Sequence, residues 1–221
     1  MIMLVFCDVD TRKDFMDKNG AYYVPNAEEI KPSLKRLTQI AIENKKLILK
    51  FADRHFDDDE ELEKHPPHCM NRREGQKTIP ETKTSETIFE HKIAMFGKYM
   101  KYEYNEIVTL TKTLRTDSIT FEKQNINVFT NPSTEKVIEK LGVTRAIVYG
   151  VATEHCVKAA VLGLLKRDIK VYLVTDAIKG IDESKSKKAI QEMINKGAKL
   201  TTVEKIEKVI EEKKKYEISN I

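Results

Sequence analysis

Short apolar runs at residues 3–9, 46–52, 146–151, 170–175 and 199–203 alternate with stretches at 28–43, 155–166, 183–195 and 204–214, where apolar residues recur at three- and four-residue steps. Runs with little polar alternation suit strands buried on both faces, and the recurring steps suit amphipathic helices. A chain that repeats this order has few solutions. It is expected to build a mostly parallel sheet covered by helices on both sides, a three-layer α/β/α fold with Rossmann-like topology. In such sheets ligands gather at the carboxyl ends of the strands, which directs attention to the residues just after Val9, Phe51 and Val151.

The 221 residues suit one domain, 1–221, with an irregular insert or lid at about 56–117 that carries Pro66, Pro67, Pro80 and many charges. Two similar phrases, Thr87-Ile-Phe-Glu-His-Lys92 and Ile119-Thr-Phe-Glu-Lys123, each offer the missing middle strand. The Glu- and Lys-rich C-terminal stretch reads as a solvated amphipathic helix. Against 35 acidic residues stand 39 Lys and Arg, a net +4 spread along the chain, so a nucleic-acid partner is not expected. No stretch approaches the roughly 20 apolar residues that span a bilayer, and the opening run is too short for a signal-peptide core and reads as a first strand. Cys7, Cys69 and Cys156 form neither a disulfide framework nor a C-x-x-C pair, which fits a reducing, cytoplasmic setting.

Chemistry concentrates in two places. The run 146–149 leads into Gly150-Val-Ala-Thr-Glu-His-Cys156, and a helical pattern follows, so Cys156 is expected at a helix N-terminus. Unpaired N–H groups and the helix dipole there are expected to lower the thiol pKa from its free value of about 8.5 and to offer an oxyanion site. The plainer alternative is a buried structural cysteine. Asp53 and His55 lie two apart after the second run, a spacing that points both side chains to one face of an extended backbone, and His68 follows within Pro66-Pro-His-Cys69. Two imidazoles and a carboxylate suit one divalent metal ion, with zinc expected and manganese or iron as alternatives. Surface histidines are the plainer reading. His65 is a substitute for His68, and Asp57, Asp58 and Asp59 read as a solvated acidic run.

The segment Gly150-Val-Ala-Thr-Glu-His-Cys156-Val-Lys-Ala-Ala closely resembles the nucleophile segment of the isochorismatase-like cysteine hydrolases, in particular the nicotinamidases. Val9-Asp10-Thr11-Arg12-Lys13-Asp14-Phe15 resembles their acid segment, with Arg12 in place of the usual Gln. The stretch from Ile119 through Lys123 to Phe129 and Asn131-Pro132 resembles their lysine segment, and the Asp53, His55 and His68 group resembles the nicotinamidase metal site. The resemblance implies Asp10, Lys123 and Cys156 as catalytic residues, with Lys92 as the competing lysine. It also implies a cis Val151–Ala152 peptide and an oxyanion hole from the Ala152 and Cys156 N–H groups. Phe15 and Val151 are implied at the substrate, with Phe15 stacking on its ring, and a metal held by Asp53, His55 and His68 is implied to bind the pyridine nitrogen of nicotinamide. The implied reaction converts nicotinamide and water to nicotinate and ammonia through a Cys156 thioester, in a homo-oligomer. Another small amide or carbamate is the alternative substrate. A distant alternative is a haloacid-dehalogenase-type phosphatase, because Asp8-Val-Asp10 imitates that Asp-x-Asp opening and would make Asp8 the nucleophile beside magnesium. A binding or scaffold protein that keeps the fold is a further rival, disfavoured by the presence of Asp10, Lys123 and Cys156 together.

Overall fold

The first apolar run forms β1 (Met3–Val9), which sits in the middle of a six-stranded, all-parallel sheet. The structure, a computed structural model, describes residues 3–84 and 117–212. After β1 come the short helix α1 (Lys13–Met16), α2 (Lys31–Glu43), β2 (Ile48–Asp53) and β3 (Ser118–Lys123). The second half contributes α3 (Pro132–Leu141), β4 (Val143–Val151), α4 (Lys158–Leu165), β5 (Lys170–Lys179), α5 (Glu183–Asn195), β6 (Lys199–Thr201) and α6 (Ile206–Glu211). The strand order is β3-β2-β1-β4-β5-β6. The chain therefore builds outwards from β1 on one side, returns to the centre, and builds outwards again from β4. That reversal leaves a crevice between the carboxyl ends of β1 and β4, the place where open α/β sheets bind ligands.

The period of two along each strand sorts the side chains into two cores. Val5, Cys7 and Val9 of β1, with Leu49, Phe51, Ile119 and Phe121 of its neighbours, pack under α3, α4 and α5 through residues such as Val137, Val161 and Met193. Leu4, Phe6, Ile48, Ile147 and Tyr149 face the other way, against Leu34, Leu37 and Ile40 of α2 and Ile206 and Val209 of α6. Each such aliphatic side chain contributes about 1.5 to 3 kcal/mol when taken out of water. Local signals place the helices: Asn131 caps α3 by accepting the Ser133 N–H ahead of Pro132, and Gly142 ends it in the left-handed region. No helix among the described residues is long and apolar enough to cross a membrane.

Several boundaries differ from those read in the sequence. β4 begins at Val143, because backbone pairing with Met3 and Leu4 carries it through the polar Thr144 and Arg145. β5 continues past Thr175 to Lys179, since the ladder to β4 shifts register around Val148 and Gly150 and resumes at Ile178. A 3₁₀ turn (Ala27–Ile30) precedes α2, and a π turn (Thr153–Val157) precedes α4. β3 is the strand expected from Ile119 to Lys123, but it pairs with β2 alone and lies at the edge of the described sheet, away from its middle. The competing phrase at 87–92, with Lys92, and much of the expected insert at 56–117 lie outside the described residues.

Gly150 is the register partner of Val9 across the two central strands. Its φ is +120°, and a Cβ there would lie 2.0 Å from the Val9 carbonyl oxygen. Asp8, one step from Val9, faces the α2 side and is 2% exposed; its Oδ2 accepts from Thr11 Oγ1 at 3.0 Å. Burial pushes the Asp8 carboxyl up to about 6, against the opposing influence of the Lys50 charge and the Thr11 bond. Asp8 lines only a cleft of about 150 Å³, counting its mouth, which is below the roughly 300 Å³ of ordinary small-molecule sites, so the phosphatase alternative built on it is set aside.

Two outcomes follow from these positions. Gly150→Ala should lower stability by about 3 kcal/mol or more, seen as a lower urea midpoint, because both the backbone angle and the Val9 carbonyl oppose a Cβ. For Asp8, the folded carboxyl titrates above its unfolded value of about 3.9. The cost of its charge is therefore absent below about pH 4, grows as pH rises through 6, and amounts to about 3 kcal/mol when complete. Thermal melting should show Asp8→Asn gaining on the parent protein between about pH 4 and pH 8.

Candidate active site

Four strand ends supply the site. Asp10 follows β1 with φ 51°, a left-handed conformation that aspartate tolerates better than most residues. Its N–H donates to the Phe51 carbonyl at 2.8 Å, and its Oδ1 accepts the Asp53 N–H at 2.8 Å, so both main chain and side chain are fastened to β2. Asp53 closes β2 and Lys123 closes β3, and the two are register partners, which turns their side chains to the same side. Across the crevice, β4 ends at Val151, the Val151–Ala152 peptide is cis, and the π turn delivers Cys156. The wide turn is closed by the Val157 N–H donating to the Ala152 carbonyl at 3.2 Å.

These side chains converge on the Lys123 ammonium. Its Nζ lies 2.9 Å from Asp10 Oδ2 and 3.5 Å from Cys156 Sγ, and it donates to Asp53 Oδ1. Asp10, Asp53 and Lys123 are each 2% exposed or less, so water screens none of these contacts. Burial favours a neutral Lys123, yet Asp10 and Asp53 outweigh it and hold the ammonium well above its ordinary pKa. Burial also works against the Asp53 charge, but Lys123, His55 and His68 keep that carboxyl far below the usual carboxylate range. Asp10 moves the opposite way: burial and the Asp53 charge raise it, with Lys123 opposing. Cys156 departs from expectation. Burial raises its thiol well above the ordinary value, Asp10 and Asp53 add to the rise, and Lys123 opposes them without overcoming it. The dry pocket thus works against a thiolate more strongly than the lysine beside it works for one.

Beside this cluster lies a second one. Asp53, His55, Glu61 and His68 each direct one ligand-type atom into a group whose members all lie within 4.8 Å of one another. Asp53 Oδ2 is 3.8 Å from His55 Nε2 and 3.5 Å from His68 Nε2. The His55 Nε2 atom is buried with no hydrogen-bond partner, an arrangement that costs free energy in a closed protein interior and that a cation relieves. The far ring nitrogens are held from behind: His68 Nδ1 lies 2.7 Å from the Pro66 carbonyl, and His55 Nδ1 lies 3.3 Å from Asp59 Oδ2. Such support is what fixes ring orientation in metal sites. Two imidazoles and two carboxylates fit a divalent cation of the zinc, manganese or iron type.

The two clusters face one cavity of about 370 Å³, counting its mouth, whose walls include Phe15, Tyr22, Ile126, Ala152 and Ile181. Of the residues singled out in the sequence, Asp10, Phe15, Asp53, His68, Ala152 and Cys156 line it, while Lys123 and His55 stand immediately behind. The Phe15 ring lies 5.3 Å from that of His68. Val151 is not brought to the cavity: its side chain is wholly buried in the core on the α2 side, where strand alternation turns it. His65 lines the wall too, but its Nδ1 is engaged by the Tyr22 hydroxyl at 2.8 Å, and His68 occupies the donor group.

Some site residues were not singled out in the sequence. Glu61 sits among five consecutive acidic side chains, and nothing in that run distinguishes it; a short 3₁₀ turn (Glu60–Glu63) aims it inward. Asp59, read as solvated, is the residue that braces His55 and also accepts the Phe56 N–H, whereas Asp57 and Asp58 are exposed. Asp14 accepts the Cys69 N–H at 2.7 Å and the Ala21 N–H at 3.0 Å, and thereby ties the histidine loop to α1. Arg12 points to Thr78, to which it donates at 2.7 Å.

Comparison with known proteins adds an independent view. The sequence model of the isochorismatase domain matches residues 3–205. No curated protein sequence matches the chain. Among solved structures, the pyrazinamidase of Pyrococcus horikoshii in complex with zinc is 25% identical, with a TM-score of 0.70 over 90% of this chain and 98% of that one. A nicotinamidase/pyrazinamidase from Bacillus subtilis is 19% identical, with a TM-score of 0.72 over 90% of this chain and 99% of that one. An N-carbamoylsarcosine amidase from Thermoplasma acidophilum shares the fold at 16% identity, with a TM-score of 0.69 over 91% and 96% of the two chains.

The geometry gives the Lys123 ammonium a structural duty besides any chemical one. In metal-free protein, Lys123→Met should leave Asp10 and Asp53 buried without their shared cation and cost about 3 to 5 kcal/mol in denaturant unfolding. A loss below about 1 kcal/mol would show that the two carboxyl groups do not depend on it.

Proposed function

The chain belongs to the isochorismatase family, and from that premise we propose that it is a nicotinamidase, hydrolysing nicotinamide to nicotinate and ammonia with Cys156 as nucleophile. The observation that carries this reading is the meeting of Asp10, Lys123 and Cys156 around one ammonium, beside the Asp53, His55, Glu61 and His68 donor group and within one cavity. A ring amide fits that pairing: the carboxamide is presented to the sulfur while the ring lies against Phe15 and its nitrogen is directed towards the donor group.

In this mechanism the resting thiol gives its proton to Asp10 as it attacks. Burial disfavours the Cys156 thiolate, and burial together with the Asp53 charge makes Asp10 a stronger base than a solvated aspartate, so the proton moves when the sulfur forms its bond to carbon. The negative charge on the former carbonyl oxygen rests on the Ala152 and Cys156 N–H groups, where the helix start favours it. Asp10 then returns the proton to the departing nitrogen. The C–N bond breaks, ammonia leaves, and the acyl group remains on sulfur as a thioester. Asp10 next takes a proton from water, whose oxygen attacks the thioester carbon. The C–S bond then breaks, Asp10 gives its proton to the sulfur, and the carboxylic acid leaves with thiol and carboxylate restored. Lys123 stays charged throughout and holds Asp10 in place.

A divalent cation held by Asp53, His55, Glu61 and His68 would supply a Lewis-acid contact for the pyridine nitrogen and so orient the ring. Asp59 and the Pro66 carbonyl serve this group by fixing the two imidazoles.

Ammonia release from nicotinamide should be readily measured for the parent protein and fall by about 10⁴-fold or more for Cys156→Ala, as expected when an essential nucleophile is removed. Equal rates in the two proteins would reject Cys156. An inactive parent protein would redirect the assay to carbamates and other small amides. Metal analysis should find one divalent ion per chain, lost on Asp53→Ala with the fold retained by circular dichroism.

A further inference from the structure

Glu154 precedes Cys156 by two residues and takes no part in the reaction described above. Its side chain is buried, and its carboxylate reaches across to a distant part of the chain. Oε1 accepts the Ile181 N–H at 2.9 Å and the Asp182 N–H at 2.7 Å, while Oε2 accepts Ser186 Oγ at 3.1 Å. These donors belong to the loop between β5 and α5 and to the first turn of α5, where a helix dipole also favours a negative charge. The space around the carboxylate is closed. A Cβ on Gly180 would stand 1.9 Å from Ser186 Oγ and 2.3 Å from Glu154 Oε2.

Ile181 makes this contact relevant to the site. Its side chain forms part of the cavity wall although the residue is 37% exposed, so packing alone does little to hold it. The bond from its N–H to Glu154 therefore ties a wall of the cavity to the turn that carries the sulfur. The other end of the tie is equally short, because Thr153–Val157 is a single wide turn with no regular helix before it. We propose that Glu154 is a positioning residue that locks the Cys156 turn to the Ile181 wall, so that nucleophile and substrate are held in one frame. This role rests on the reading of Cys156 as nucleophile. It depends on shape and hydrogen bonding more than on charge, because a glutamine there can accept both N–H groups through its oxygen and donate to Ser186 through its nitrogen.

The test compares Glu154→Ala, Glu154→Gln and Gly180→Ala with the parent protein, all metal-loaded, by kcat and KM for nicotinamide and by the rate at which iodoacetamide alkylates Cys156. Glu154→Ala and Gly180→Ala should each lower kcat by about 10²-fold, the scale of a small misplacement of reacting groups, with a smaller change in KM, and Glu154→Gln should restore most of it. Parent-like kcat and KM in Glu154→Ala, or a glutamine variant as poor as the alanine one, would overturn the proposal. If Glu154→Ala fails to fold, Gly180→Ala decides between the same outcomes. If the parent protein does not turn over nicotinamide, the alkylation rates decide. A change shared by Glu154→Ala and Gly180→Ala but absent from Glu154→Gln supports the tie, and equal rates in all four proteins refute it.

Discussion

A single buried ammonium organises the carboxyl edge of this sheet. Lys123 meets Asp10, Asp53 and Cys156 at once, and each partner arrives from a different strand end. Removing charges from water is expensive, and attraction within the cluster compensates only while all partners hold their positions. The ends of β1, β2, β3 and β4 are thus bound into one electrostatic unit. Its balance also bears on the sulfur: the lysine's charge is shared with two carboxylates, and it does not overcome the burial that raises the thiol.

Asp53 shows how economical the arrangement is. One of its oxygens receives the lysine, the other faces two imidazoles, and its N–H fixes the Asp10 side chain. The chemical cluster and the metal-type donor group therefore share a residue and are not independent features. A change in one is felt in the other through a bond or two. The deep lowering of the Asp53 pKa has the same origin, since a proton there would compete with the lysine and both histidines for the same oxygens.

Much of this was legible in the sequence because it follows from periodicity and local spacing. The buried runs announced a parallel sheet, and residues just past Val9 and Val151 fall at its carboxyl edge, beside the point where the strand order reverses. Asp53 and His55 were expected to share a face from their spacing, and they do, although β2 ends at Asp53 and His55 is held by a bridge to Met70. The parts that were not legible depend on contacts made only after folding. Glu61 could not be told from its acidic neighbours until a turn aimed it inward, and Asp59 gained its role only when His55 was brought beside it. The Cys156 thiol was misjudged because a helix start is a local feature, whereas the burial that outweighs it belongs to the whole fold. The strand 118–123 was anticipated as a segment, but its place at the border of the described sheet is a matter of topology that no local pattern encodes.

That border position has a consequence for how the molecule fails. The shared cation is carried by a strand paired on one side only among the described residues, while Asp10 and Cys156 are anchored to the two innermost strands. Marginal strands open more readily than central ones. Fraying there would withdraw Lys123 and leave two carboxylates facing each other in an otherwise intact scaffold. Loss of the proposed chemistry would then precede loss of shape, and a preparation could keep its spectroscopic signature after that activity had fallen silent.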